Sequence, residues 1–128
     1  MNEDYVSHEV AKLLKEKGFD SHYSTHFYKN NKLECYMDDR KKYWLQKDEY
    51  AAPSLYIAQK WLKETKGIYI WVEPVVGRKW TTSSCDFNVS LEESDWIERE
   101  LHKDGYPIYN TFEEALQTGI LEALKLII

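Results

Sequence analysis

The sequence predicts an α+β protein: an antiparallel sheet of four or five strands with three helices, in the order α-ββ-α-ββ(β)-α. Three observations lead to this fold class. Three segments place apolar residues at helical spacings of three and four, each behind a small hydroxyl residue. The segments between them alternate with the period of two that is typical of strands. A chain of 128 residues has the size of one domain, so we expect a single domain over 1–128.

The first helix is expected over about 7–17, because Ser7 is a favourable N-cap and an apolar stripe follows it. Gly18 provides a natural end to this helix. A second helix is predicted to begin at Pro53-Ser54 and to end at Gly67. Apolar residues recur through it at spacings of three and four: Leu55, Ala58, Trp61 and Leu62.

The third helix carries the clearest signals, because Thr111 and Glu114 form a capping box. Gly119 inside this helix is expected to mark a close approach of the helix to the sheet, since an interior glycine otherwise only destabilises a helix. The helical period predicts a buried face made of Phe112, Leu116, Ile120, Leu124 and Ile127, and an outer face that includes Glu113, Gln117 and Glu122.

Two hairpins are predicted between the helices. The first spans residues 20–39 and turns at Asn30-Asn31, where asparagine tolerates positive φ. The second joins a central strand at 68–73 to a strand at 80–89 through Val76-Gly77-Arg78. Residues 38–52 have no clear period and are expected to dock on the domain through aromatic residues. Residues 90–108 fit either a helix capped at Ser90 or a fifth strand, and we favour the strand.

The net charge of −5 disfavours a nucleic-acid or anionic membrane partner, because both require a basic surface. The acidic excess lies after Gly67, where the sequence has 11 acidic and 5 basic residues. No stretch of the sequence has the length of a membrane span or the pattern of a signal peptide. We therefore expect a cytoplasmic protein whose two cysteines, Cys35 and Cys85, are reduced and serve as small strand hydrophobes.

No residue pattern indicates catalysis, a cofactor or a metal ion. Glycine-rich phosphate-binding loops are lacking, and neither cysteine lies in a thiol-enzyme signature. His22 and His26, if both lie on one strand, are about 13 Å apart, which is too far for one metal ion. The acidic residues between Glu92 and Asp104 do not have the spacing of a calcium loop and are expected to form a solvated face.

Several separated blocks of the sequence resemble a family of small uncharacterised proteins from phages and prophages of Bacteroides-type gut bacteria. The resemblance rests on residues 9–19, 52–62, 109–115 and 119–125 and so extends over nearly the whole chain. It implies an origin in a mobile element and a location in the bacterial cytoplasm. The blocks consist of helix caps and core positions, and no functional residue is carried over from the family.

The aromatic content of 15% is the unusual number in the composition, since ten Tyr and five Trp exceed what one core of this size can bury. Exposed Tyr and Trp residues often dominate protein–protein binding. We expect a non-enzymatic accessory protein that binds a protein partner, and Tyr28, Tyr69, Trp71 and Trp80 are the candidate contact residues if their sheet face is open. In the other interpretation, the irregular segment 38–52 covers this face. In the alternative hypothesis, the protein binds nucleic acid through the basic and aromatic segment Arg40, Lys41, Lys42, Tyr43 and Trp44.

Overall fold

The computed structural model describes residues 4–36, 44–75, 77–86 and 108–127 and confirms the α+β class. Within these residues three α-helices accompany two antiparallel sheets, one of three strands and one of two. The order of elements follows the predicted order, but the strands are divided between two sheets. The predicted fifth strand or helix in residues 90–108 lies outside the described residues, except for its last position.

The helices begin where their capping residues predict. Helix α1 spans His8–Glu16, and the Ser7 hydroxyl accepts a hydrogen bond from the Val10 amide. Helix α2 spans Leu55–Trp61 and continues as a π-helical turn over Leu62–Lys66 before Gly67. Helix α3 spans Phe112–Leu126, and the Thr111 hydroxyl accepts from the amide of Glu114. The Glu114 carboxylate in turn accepts from the amide of Asn110, one residue before the cap.

The first sheet has the strand order β2-β1-β3, with β1 at His26–Lys29 in the centre. Strand β2 spans Lys32–Cys35 and closes the expected hairpin, whose two turn asparagines both have positive φ. Strand β3, Tyr50–Ala51, pairs with the other edge of β1 and was not predicted. It is only two residues long, which is too short for an alternating pattern to be recognised.

The second sheet is a hairpin of β4, Ile68–Val75, and β5, Lys79–Asp86. Beyond β5, Trp80 and Tyr109 exchange both of their backbone hydrogen bonds. The inner face of β4 carries Ile68 and Ile70, which are buried against the helices. The strand expected at 68–73 is confirmed, but its expected central position was wrong, because within the described residues β4 pairs with β5 alone. Its two faces also differ, since Tyr69 and Trp71 are exposed opposite the buried Ile68 and Ile70.

Helices α1 and α3 lie side by side and run in the same direction. At one end, the Gln117 side chain accepts a hydrogen bond from the Ser7 amide at 2.9 Å and donates one to the Tyr5 carbonyl at 3.2 Å. At the other end, the Lys17 ammonium donates to the Ile127 carbonyl at 2.8 Å. The expectation that Gln117 faces outward was wrong, because the residues before α1 cover it.

The close approach predicted at Gly119 is confirmed. A Cβ atom at this position would lie 2.9 Å from Cγ2 of Ile70 and still closer to the hydroxyl oxygen of Thr82. Real Cβ atoms essentially never approach a neighbour so closely. Helix α3 therefore packs on the second sheet at a distance that only glycine permits.

The rest of the predicted face of α3 is mostly confirmed. Leu116, Ile120 and Leu124 are buried, and Ile127 is partly buried against the core. Phe112 remains 42% exposed, because the first turn of the helix lies at the edge of the sheet. Its ring packs edge-on against Trp80 with the ring centres 5.6 Å apart.

Two expectations about the first half of the chain were wrong. Cys35 is free and exposed, because β2 is an edge strand and this residue lies at its end. Trp44 was expected to help dock residues 38–52 on the domain, yet its side chain is 70% exposed. Another residue of this segment, Glu49, is fully buried instead, and its carboxylate accepts a hydrogen bond from the Gln46 amide.

Candidate functional site

Two large aromatic side chains lie next to each other on the outer face of β4. Tyr69 is 38% exposed and Trp71 is 40% exposed. They are two positions apart on one strand, so they lie on the same face about 7 Å apart. The Trp71 indole donates a hydrogen bond to the Glu73 carboxylate at 2.7 Å, which orients the ring. We call Tyr69 and Trp71 the aromatic face.

Tyr28 does not belong to this surface, contrary to the prediction. It lies on β1 in the other sheet, is only 7% exposed, and donates its phenolic hydrogen to the Val6 carbonyl at 2.8 Å. Its hydroxyl thus has the partner that a buried tyrosine needs. The strand pattern could not identify this burial, because tyrosine is common on both faces of a sheet.

Trp80 is also separated from the aromatic face. Its partner across the hairpin is Pro74, so it shares the inner face of the sheet with Ile70. There it is half-buried and packs on Phe112 of α3. Of the four predicted surface residues, the structure therefore brings together Tyr69 and Trp71 and separates the other two.

A groove runs between α2 and the outer edge of β4. Its volume is about 300 Å³, and it is lined by Tyr56, Gln59, Lys60, Lys63, Tyr69 and Ile70. The Gln59 side-chain amide donates to the Ile70 carbonyl at 2.7 Å and ties the helix to the strand. Tyr69 lines this α2–β4 groove and also belongs to the aromatic face, so the two surfaces are continuous.

The helix wall of the groove was missed at the sequence level, although it had a detectable signal. Tyr56, Lys60 and Lys63 recur at spacings of four and three, opposite the buried residues Leu55 and Ala58. An outward stripe of this kind is typical of any amphipathic helix, so it did not indicate a site. The stripe forms a groove only because it lies opposite the edge of β4.

The α2–β4 groove is locally basic on an acidic protein. Lys60 and Lys63 are both exposed along it. The Lys63 ammonium lies 5.6 Å from the centre of the Tyr69 ring, within the range of a cation–π interaction. The carboxylates of Glu64 and Glu73 belong to the same two elements but do not line the groove. A negatively charged ligand is therefore favoured at this position.

The alternative nucleic-acid segment is only partly visible. Arg40, Lys41, Lys42 and Tyr43 lie outside the described residues, whereas the neighbouring Trp44 is described and highly exposed. An exposed indole next to three basic residues in the sequence is compatible with stacking on a nucleic-acid base.

A polar cluster away from the groove lies between the end of β2 and the segment before β3. Burial raises the pKa of the Tyr36 phenol to about 12, the Ser24 hydroxyl lowers it by hydrogen bonding, and the Glu49 carboxylate raises it further. Glu49 belongs to a loop that Lys15 of α1 holds in place, since its ammonium donates to the carbonyls of Lys47 and Glu49. This cluster fixes the loop to the domain and is closed to solvent at Glu49.

The geometry at the histidines differs from the assumed strand. His22 lies in a 3-10 helix, Ser21–Tyr23, and its ring is 2.9 Å from the Asp20 carboxylate. His26 lies on β1 and packs against the Tyr5 ring. Within residues 4–36, 44–75, 77–86 and 108–127, no three His, Cys, Asp or Glu side chains converge as a metal site would require.

Comparison of the chain with protein-family models, with curated proteins and with solved structures finds no match. The longest helix in the described part of the chain has 15 residues, and none of the described helices has the length and apolar character needed to cross a membrane.

Proposed function

We propose that this protein is a non-enzymatic accessory protein that binds another protein through its aromatic face. The observation that carries the proposal is the exposure of Tyr69 and Trp71 on one face of β4, with the Trp71 ring oriented by Glu73. The resemblance of the sequence to small phage proteins supports a role in a phage or prophage, inside the bacterial cytoplasm.

Physical reasoning supports a binding role for these two residues. Trp and Tyr are enriched among the residues that dominate binding energy at protein interfaces. Both lie on a paired strand, and the indole of Trp71 is already hydrogen-bonded. Less side-chain entropy of Trp71 is then lost when a partner covers it, so more of its contact energy is available for affinity.

The test compares capture of host proteins by the native chain and by a Tyr69→Ala/Trp71→Ala variant, with mass spectrometry of what is retained. A partner that contacts the aromatic face is lost from the double variant. Tyr23→Ala is the matched control, because Tyr23 is also an exposed aromatic residue but lies outside both the aromatic face and the groove. Equal capture by the native chain and the double variant contradicts the proposal.

The high exposure of Trp44 favours one second candidate function, binding of single-stranded nucleic acid by the segment Arg40–Trp44. Such binding weakens steeply as salt increases, because bound cations are released from the phosphates. Retention on heparin at low salt that decreases in Trp44→Ala supports this function. Passage of the native protein straight through the column contradicts it.

A further inference from the structure

We propose that the α2–β4 groove binds an extended, acidic peptide segment of the partner, which adds to the second sheet as a strand along the outer edge of β4. This inference rests on the proposed function, because it specifies the chemistry of the protein partner. It depends on three features of the groove: the edge of β4, the basic wall of α2 and the position of the aromatic face.

The outer edge of β4 offers backbone groups for a further strand. Trp80 on β5 directs its N–H and C=O away from β4, toward Tyr109. In an antiparallel pair, the residue opposite such a position also points its backbone groups outward, and the pattern repeats every second residue. Pro74 lies opposite Trp80, so Val72 and Ile70 also direct their backbone groups to the outer edge of β4, and Ile70 lines the groove there.

These groups are available to a ligand in part. The Ile70 carbonyl already accepts a hydrogen bond from Gln59. No backbone group of the described residues bonds to the outward N–H or C=O of Val72. Pro74 has no N–H to offer a further strand. Proline is tolerated on edge strands for this reason. The edge therefore supports a short added strand rather than a long one.

The helix wall of the groove selects the charge of that strand. Lys60 in α2 and Lys63 in the π-helical turn that continues it are three residues apart, or about 5 Å along the helix axis. Alternate side chains of an extended peptide are about 7 Å apart. Two acidic side chains at alternate peptide positions thus match two flexible lysines, while a basic peptide is repelled.

The size of the groove also fits this ligand. Its volume of about 300 Å³ is at the lower end of the range for small-molecule sites. A few side chains of a strand fill such a groove, and Tyr69 connects them to Trp71 outside it. Addition of a strand beside a helix, with main-chain bonds for affinity and side-chain contacts for specificity, is an established mode of peptide recognition.

The experiment measures the fluorescence anisotropy of a labelled eight-residue peptide of alternating Glu and Val, titrated with the full chain at low salt. We expect saturable binding that weakens at least tenfold near 1 M salt, where the Debye length is about 3 Å. Lys60→Glu/Lys63→Glu should weaken binding at least tenfold. Lys29→Glu/Lys32→Glu is the matched control, since it makes the same change in net charge on exposed residues of the other sheet.

Changes to the peptide test the added strand without any risk to folding of the protein. Two otherwise identical peptides carry N-methyl groups on one or the other alternate set of backbone nitrogens and keep the same charge. The peptide that loses the donors facing β4 should bind at least tenfold more weakly than the unmethylated peptide. A peptide of alternating Lys and Val should not bind. The proposal is overturned by absence of binding to the native chain, by unchanged affinity for both N-methylated peptides, or by an equal loss in the control variant.

The two proposals can fail separately. If host-protein capture depends on Tyr69 and Trp71 but the acidic peptide does not bind, the added strand is refuted and the aromatic face stands. If the peptide binds as expected but capture does not depend on these two residues, the aromatic face is refuted and the groove stands as a peptide site.

Discussion

Replacing Gly119 with alanine tests the closest packing in the molecule. The new methyl group would contact the side chains of Thr82 and Ile70, both of which are buried in the second sheet. These residues are β-branched and have few alternative rotamers, so neither side chain can move aside easily. The Thr82 hydroxyl could rotate only by giving up its hydrogen bond to the Trp71 carbonyl at 3.3 Å.

Two opposing effects determine the size of the change. Alanine favours an interior helix position over glycine by up to about 1 kcal/mol. Overpacking of a closely packed core costs about 1–3 kcal/mol. The methyl group would contact two buried side chains rather than the flexible end of a single one. We therefore expect an overpacking cost in the upper part of the range of about 1–3 kcal/mol. The net loss in free energy of unfolding is then about 1–2 kcal/mol.

Urea denaturation of the native chain and of Gly119→Ala measures this loss. The cost should shrink by at least about 0.5 kcal/mol when Thr82→Ala is also present, because contacting residues are energetically coupled. A Gly119→Ala variant more stable than the native chain would refute the close approach of α3 to the sheet. Equal costs in the two backgrounds would show that Thr82 is not the obstacle.

Three further predictions concern single side chains. Leu116→Ala should lower the free energy of unfolding by about 2–5 kcal/mol in a urea melt, because this leucine is buried in the core; a loss below about 1 kcal/mol would contradict its placement. Gln117→Ala should cost about 1–3 kcal/mol in the same assay, since two hydrogen bonds to Tyr5 and Ser7 are lost, whereas a surface residue would cost less than about 0.5 kcal/mol. The Tyr36 phenol, whose pKa is raised from 10.0 to about 12, should ionise in an ultraviolet titration at a higher pH than the ordinary tyrosine value of 10.0, with Tyr36→Phe identifying its signal. Since the folded chain holds this proton more tightly than the unfolded chain, the contribution of Tyr36 to stability is present below pH 10 and is lost as the pH rises toward 12.

Local signals in the sequence predicted the helices well, because caps and apolar spacing act within a few residues. Ser7, Ser54 and Thr111 each accept the capping hydrogen bond that their positions suggested. What failed depends on distant contacts. The outward face assigned to Gln117 was wrong because residues more than 100 positions earlier in the chain cover it. Strand β3 was missed because its two residues are defined by pairing with β1, not by their own pattern.

The candidate site was predicted only in part for a related reason. Tyr69 and Trp71 lie on one strand, so the alternation of that strand was enough to place them together. Tyr28 could be assigned to the same surface only by assuming one continuous sheet, and the described part of the chain has two. The α2–β4 groove combines a helix face with a strand edge, and nothing in either segment alone indicates that they meet.

The parallel arrangement of α1 and α3 has a consequence for how the chain folds during synthesis. The contacts that join these helices connect residues 110 positions apart, so one side of the core stays open until α3 has been made. About 100 residues separate the end of α1 from the start of α3, and at about 5–20 residues per second their synthesis takes about 5–20 s. Apolar residues of α1 such as Val10 and Leu14 belong to a core that α3 completes, so that core stays incomplete throughout that time. Aggregation of the nascent chain, rather than instability of the finished fold, is therefore the hazard to which this topology exposes the protein.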